Sequence, residues 1–311
     1  MLTVLGAVLP LFATILAGAG LARWRRLGDA AVGALNTYVV WLALPALLFD
    51  FVAEADWASL DQPGFAIVFG GSAFGIFALS WFASPWLTGR RQSLAHRSLE
   101  ALTAGYANTA FMGIPLAATL LGPAGLAAAV IASLVTVCAL FALSVTLVEV
   151  DRGRGGPRGQ VLRRTVGAVA RNPIVAAPVA GVLWAVSGLA LPAPVSALLK
   201  MLGGSATPVA LVTIGMFLVQ PSGRAGTREL TTALVLKLVG QPLLVAALLL
   251  VVPLDHIHAA AALLLAALPT GTGPFMAARL YGEEVTLAAR ATLIGTVLSV
   301  GSVSVLAWWV G

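Results

Sequence analysis

Apolar runs follow one another from end to end of this chain, parted only by short polar or Pro/Gly-bearing connectors. Each is about 20 residues long, which is what a helix needs to cross the hydrocarbon of a bilayer. In hydrocarbon every backbone N–H and C=O must find a partner within protein, so only helices and closed barrels span it. No weak alternating segments of the barrel type occur, and the runs therefore predict an all-α integral membrane protein. Composition agrees, with 59% hydrophobic and only 10% charged residues, against roughly 25% charged in soluble domains. A net charge of +6 suits a nucleic-acid partner only when the basic residues form a patch. Here they are scattered over short loops, so the lipid bilayer is the expected partner and nucleic acid is not. The single cysteine, Cys138, lies inside an apolar run and reads as a small core residue. The N-terminal stretch MLTVLGAVLPLFATILAGAG has no basic segment before its apolar part and reads as a retained first helix.

Ten spans are predicted, over 2–22, 31–52, 64–84, 99–121, 124–148, 172–190, 198–219, 229–251, 258–281 and 285–310. Every odd-numbered loop is basic: Arg23, Arg25 and Arg26 in the first, Arg90, Arg91 and Arg97 in the third, Arg224 and Arg228 in the seventh, Arg279 in the ninth. The even loops are not, and 53–63 carries Glu54, Asp56 and Asp61 instead. Basic loops stay in the cytoplasm, which places both termini on the non-cytoplasmic side of a bacterial-type inner membrane. Trp24, Trp57, Trp86, Trp308 and Trp309 fall at span ends, as interfacial anchors do. The connector 149–171 is basic and Gly-rich, and is predicted to be a cytoplasmic linker between halves 1–148 and 172–311.

The halves are related. Sliding the chain by 160 positions aligns 109–139 with 269–299, bringing Gly113 onto Gly273, Gly122 onto Gly282 and Thr136 onto Thr296. Pro45 of span two and Pro208 of span seven also correspond as helix-break positions. Five spans per half is an odd number, so the second half enters the membrane from the opposite face. That predicts an inverted repeat, an architecture of secondary transporters.

Spans four and nine carry breaks at mid-depth. In the fourth these are Asn108, Thr109, Gly113 and Pro115; in the ninth, Pro269, Thr270, Gly271, Thr272, Gly273 and Pro274. Pro removes a donor and clashes with the preceding turn, and irregular backbone survives there only where protein or water satisfies it. If the two breaks cross, half-helix N-termini converge and suit a small carboxylate, while the carbonyl ends suit a cation or a proton-carrying water. Asn108 can serve a ligand or merely join two spans by a hydrogen bond, and the threonines can serve it or bond back to their own helix. GTGP is no phosphate loop, having neither a preceding strand nor a following Lys.

The other ionisable groups read as interfacial. Asp50, Glu100 and Glu149 lie toward span ends, and Lys237 is placed to snorkel to the cytoplasm. Asp255, His256 and His258 lack a fourth ligand, and no metal site is expected. No Ser/His/Asp or Cys/His set shares a depth, so an enzyme is not expected.

LNTYVVWLALPALLF (35–49), GYANTAFMGIPLA (105–117), GGSATPVALVTIGMFL (203–218), LKLVGQPLL (236–244) and LPTGTGPFMAARLYG (268–282) together resemble the auxin efflux carrier family of bacterial permeases. The resemblance runs the whole length. It implies ten helices in two inverted five-helix repeats, a fold shared with plant auxin exporters and bile acid symporters. It further implies an often dimeric scaffold of spans 1, 2, 6 and 7, and an elevator-like transport domain of spans 3–5 and 8–10. By the same resemblance crossed spans four and nine hold the substrate, with Asn108 and Pro115 in the first crossover and Pro269 and Pro274 in the second. A small carboxylate such as malonate or an auxin-like acid is the implied substrate; no cofactor is implied, and coupling to protons or sodium is open. Plant members carry a long central loop, so the short connector here implies no regulation through it.

Overall fold

The computed structural model describes residues 2–24, 27, 29–54, 61–88, 92–153, 167, 170–219 and 226–310. Most of the predicted linker, together with Arg25, Arg26, Asp56, Trp57, Arg90, Arg91 and Arg224, lies outside the described residues.

All regular elements among the described residues are helical. They are α1 (Leu2–Arg23), α2 (Asp29–Tyr38), α3 (Leu44–Ala53), α4 (Pro63–Thr88), α5 (Leu94–Gly105), α6 (Ile114–Ser133), α7 (Phe141–Arg152) and α8 (Pro173–Val186). There follow α9 (Ala193–Gly204), α10 (Ala206–Val219), α11 (Thr227–Val235), α12 (Gln241–Leu249), α13 (His256–Ala266), α14 (Gly273–Tyr281) and α15 (Thr286–Val310). Six helical stretches among the described residues are long and apolar enough to cross a membrane: Ala30–Ala53, Pro63–Trp86, Leu116–Arg152, Ala193–Val219, Thr227–Leu249 and Thr286–Leu306. Ala13–Arg23, Val175–Val186 and His256–Ala266 are shorter apolar helices. The stretch Leu116–Arg152 joins parts of two predicted spans, yet it is not straight. Gly122 takes φ 66° and ψ −151°, and Pro123 follows, so the chain turns where the sequence places the end of span four.

Proline shapes the helices in a second way. Wide π turns occupy Val39–Ala43, Thr109–Gly113 and Leu236–Gly240, and each ends two residues before a proline: Pro45, Pro115 and Pro242. A proline cannot bond the carbonyl four residues back and its ring crowds that carbonyl, and a wider turn relieves both. Pro45 therefore sits in a helix that continues through it. Pro208 lies in the first turn of α10, just after the interruption at Ser205. A fourth π turn, Leu134–Leu140, has no accompanying proline.

The helices pack in two groups. In one, α1 lies along α10, α2 touches α10, and α3 packs on α8 and α9. Glycine makes the first contact close. A Cβ at Gly18 would fall on the Val212 carbonyl, and one at Gly215 on the Ile15 carbonyl. Small residues that let backbones touch replace the hydrophobic driving force that lipid removes. An ion pair from Glu54 to Lys200 (2.6 Å) and a bond from Ser196 Oγ (2.6 Å) tie the end of α3 to α9, and they hold the Glu54 carboxyl below its ordinary pKa. In the other group α4 packs on α5 and α12, α5 on α7, and α6 on α13.

Candidate functional site

The two breaks lie against each other. After α5 ends at Gly105, Tyr106 turns to extended backbone (φ −86°, ψ 92°), and Ala107 forms an isolated antiparallel bridge with Thr270. The Asn108 N–H donates to the Pro269 carbonyl (2.9 Å), and the Gly271 N–H donates to the Tyr106 carbonyl (3.0 Å). Thr270 Oγ1 donates to the Thr103 carbonyl (2.9 Å), and Thr292 Oγ1 to the Gly271 carbonyl (3.2 Å). Each break thus satisfies backbone groups that the other frees, which is what a dry environment requires. Pro274 is the second residue of α14, where its missing N–H costs no helical bond.

The predicted site residues divide by role. Thr270 is engaged with Thr103, and Pro269 supplies its carbonyl to Asn108. Asn108 is 5% exposed; its carbonyl accepts from Met112 and Gly113, while its carboxamide has no partner among the described residues. Thr109 Oγ1 is buried without a partner. Gly113 admits α13, since a Cβ there would lie 2.7 Å from Leu265 Cδ2 and 3.0 Å from Leu268 Cδ1. Pro115 is the second residue of α6. Gly271 and Gly273 seat the Tyr106 ring: Cβ atoms would lie 2.9 Å from its Cε1 and 2.5 Å from its Cζ, respectively.

A cavity of about 150 Å³ adjoins the crossing. Tyr106, Ala110 and Ile114 reach it from the first break, and Thr272, Gly273 and Met276 from the second. Its other walls are Val39, Leu44, Leu47, Leu48 and Phe51, with Ser133, Val137, Cys138 and Ala206. It therefore lies between the two packing groups. No charged side chain is among these residues; the side-chain heteroatoms they offer are the hydroxyls of Tyr106, Ser133 and Thr272, the Cys138 thiol and the Met276 thioether. Of the predicted residues, Thr272 and Gly273 line the cavity, and Asn108 and Thr109 do not.

Beyond the cavity α14 is held firmly. Phe275 meets Phe217 edge to face at 5.6 Å, and the Arg279 guanidinium lies 6.0 Å from the Phe217 ring. Arg152 donates to the Tyr281 carbonyl and lies 4.8 Å from its ring, while Asn172 Nδ2 donates to the Tyr281 hydroxyl (3.2 Å).

One reading of the sequence is corrected. Lys237 does not snorkel: it is fully buried, and its Nζ donates to the Ala266 carbonyl (2.7 Å). Ala266 is the last residue of α13, so the ammonium meets the partially negative end of a half-helix. Glu100 is also buried, at 7% exposure, and accepts from Ser84, from Gln92 Nε2 (3.3 Å) and from His96 Nε2 (3.3 Å), which leaves its expected place toward a span end as it was. Asp255 has a structural task, capping α13 by accepting from the Ile257 and His258 N–H groups. Tyr106 and Cys138 escaped the sequence reading as cavity residues. An aromatic one residue past a helix end and two before the polar amide was the available signal for Tyr106.

Residues 3–158 and 159–307 match the family described as membrane transport protein. A Rhizobium meliloti (strain 1021) protein named as a malonate transporter is 30% identical over 305 residues, which cover 98% of this chain and 95% of that protein. An Oryza sativa subsp. japonica protein named as auxin efflux carrier component 5c is 27% identical, with 95% and 94% covered. A transporter of Methanothermobacter thermautotrophicus with no named substrate is 25% identical, with 89% and 88% covered.

Proposed function

Since the chain belongs to the membrane transport protein family, and is thus a multi-pass membrane protein and a transporter rather than an enzyme, we propose that it is a secondary active transporter of small organic anions. The substrates are carboxylates, of the kind named for the malonate and auxin relatives. The observation that carries this reading is the cavity at the crossing, where the N-terminus of α14 meets hydroxyl groups without any buried basic side chain. Unpaired N–H groups and a partial positive charge stabilise a carboxylate there. The apolar walls suit the hydrocarbon part of such an acid.

In this reading the group containing α1, α2, α3, α8, α9 and α10 is the scaffold, and the group built on the crossing is the moving domain of an elevator. Ten spans in two inverted repeats, with both termini outside the cytoplasm, complete it. The cavity between the groups supports the division. The Lys237 ammonium already meets the carbonyl end of α13, which favours proton over sodium coupling at that end.

The test is uptake of labelled malonate and of indole-3-acetate into proteoliposomes under imposed proton or sodium gradients. Gradient-dependent accumulation is expected, and the absence of uptake of either acid would sink the reading. Asn108→Ala is expected to abolish uptake while leaving the protein folded, because its carboxamide has no protein partner to lose. Unchanged uptake by the folded variant removes Asn108 from the transport path.

A further inference from the structure

Of the side-chain groups on the first break that lack a partner among the described residues, Tyr106 is the one that lines the cavity, while Asn108 and Thr109 do not. Tyr106 is 6% exposed and its hydroxyl forms no hydrogen bond among the described residues, but the hydroxyl is not one of the fully enclosed atoms, and the residue lines the cavity. A hydroxyl that keeps accessible surface in a mostly apolar cavity and has no protein partner is free to bond a polar ligand there. The ring cannot turn freely, because it lies over Gly271 and Gly273 and meets Phe141 edge to face at 6.3 Å. Its hydroxyl oxygen lies 2.8 Å from where a Cβ on Gly273 would be, which puts it at the first residue of α14. Tyr106, Thr272 and Gly273 line the same cavity.

We infer that the Tyr106 hydroxyl is a ligand-binding, specificity-determining group that donates to a carboxylate held at the N-terminus of α14. This rests on the organic-anion reading and names the side chain that reads the acid. The N–H of Gly273, in the first turn, has no carbonyl within α14 to bond, and Pro274 has no N–H. The phenol and the Thr272 hydroxyl add side-chain donors to the N–H groups of the first turn. Bonds to a charged acceptor are shorter and stronger than those to a neutral one, so the arrangement favours an ionised acid. Asn108 is two residues further on, and its carboxamide is off the cavity wall. Tyr106 is therefore the polar side chain by which the first break reaches this cavity. The two glycines follow from the same geometry, since any side chain at 271 or 273 would displace the ring.

The experiment uses the purified full chain in nanodiscs, with malonate and indole-3-acetate as probes and calorimetric titration as the readout. Tyr106→Phe keeps the ring and removes only the oxygen. It is expected to leave the ligand-free melting temperature unchanged and to raise the Kd of the bound acid at least tenfold. A Kd within twofold of wild type overturns the role of Tyr106 while leaving the anion reading intact. Wild-type protein that binds neither acid overturns the anion reading, and this role with it. Should Tyr106→Phe fail to accumulate, fluorotyrosine placed at 106 supplies a stronger donor of nearly the same shape. Tighter acid binding is then expected, and equal or weaker binding overturns the role.

Discussion

Gly273→Ala sets a measurable clash against a nearby void. The added Cβ would stand 2.5 Å from Tyr106 Cζ and 2.9 Å from Cε1, where carbon atoms rest at about 3.5–4.0 Å. The ring must withdraw by about 1 Å. Gly271 blocks one direction, because the ring already lies over it, and the cavity of about 150 Å³ offers the other. Overpacking costs about 1–3 kcal/mol, and an adjacent void puts this substitution at the low end. Melting should therefore fall by only a few °C, on the order expected for about 1 kcal/mol, while the displaced phenol fills the cavity. Cys138, the single cysteine of the chain, lines that cavity and reports the difference. A small thiol reagent should label Cys138 at least tenfold more slowly in Gly273→Ala than in wild type. In a Tyr106→Ala background the same substitution should not slow labelling, because the clashing ring is gone. Gly282→Ala is the control: its Cβ meets nothing, but its φ of 68° costs about 1–2 kcal/mol in backbone strain. It should lower the melting temperature without touching Cys138 labelling. Unslowed labelling in Gly273→Ala, or an equal defect with and without the Tyr106 ring, refutes the seating of Tyr106 on these glycines.

Lys237→Met removes the ammonium and keeps most of the stem. It loses a charge-assisted bond of about 1.5–3 kcal/mol and sheds the several-kcal/mol cost of burying a charge. The protein should stay folded, while Lys237→Glu, which sets a carboxylate against the Ala266 carbonyl, should fail to accumulate; the reverse order in a detergent melting assay contradicts the contact. His96 predicts a pH dependence. The bond to Glu100 comes first, with Glu283 and Glu229 adding to it, and together they raise the imidazole pKa above its ordinary 6.5 against the opposing effect of burial. Folding then favours the protonated ring, so the stabilisation is complete below 6.5 and fades as pH rises through the raised value. Wild type should melt above His96→Gln at about pH 5.5 and converge with it by about pH 9; a gap that widens with pH is the contrary result.

The breaks were legible because Pro and Gly act locally. Pro115, Pro269 and Pro274 interrupt apolar runs wherever those runs sit, and both breaks fall near the middle of their runs. The bond from Asn108 to Pro269 was expected only in outline, since it joins residues far apart in the chain. The residues that finish the cavity were not legible. Tyr106 looks like any aromatic in an apolar segment until Gly271 and Gly273 are seen beneath it. Lys237 was misread for a related reason. Snorkelling depends on what surrounds the stem, and α13, whose carbonyl end takes its charge, is contributed by a later part of the chain.

The bridge between Ala107 and Thr270 also bears on how the protein is made. When the first break is synthesised, the carbonyl that will accept the Asn108 N–H does not yet exist. At about 5–20 residues per second the ribosome reaches Pro269 roughly 10–30 s later. For that interval the nascent first half holds an unfinished helix break in or beside the bilayer, with donors that water, the insertion machinery or a provisional fold must satisfy. The last third of the chain then closes the first. A truncation just before Pro269 should consequently expose residues 106–109 to degradation, even though every helix up to α13 has been completed.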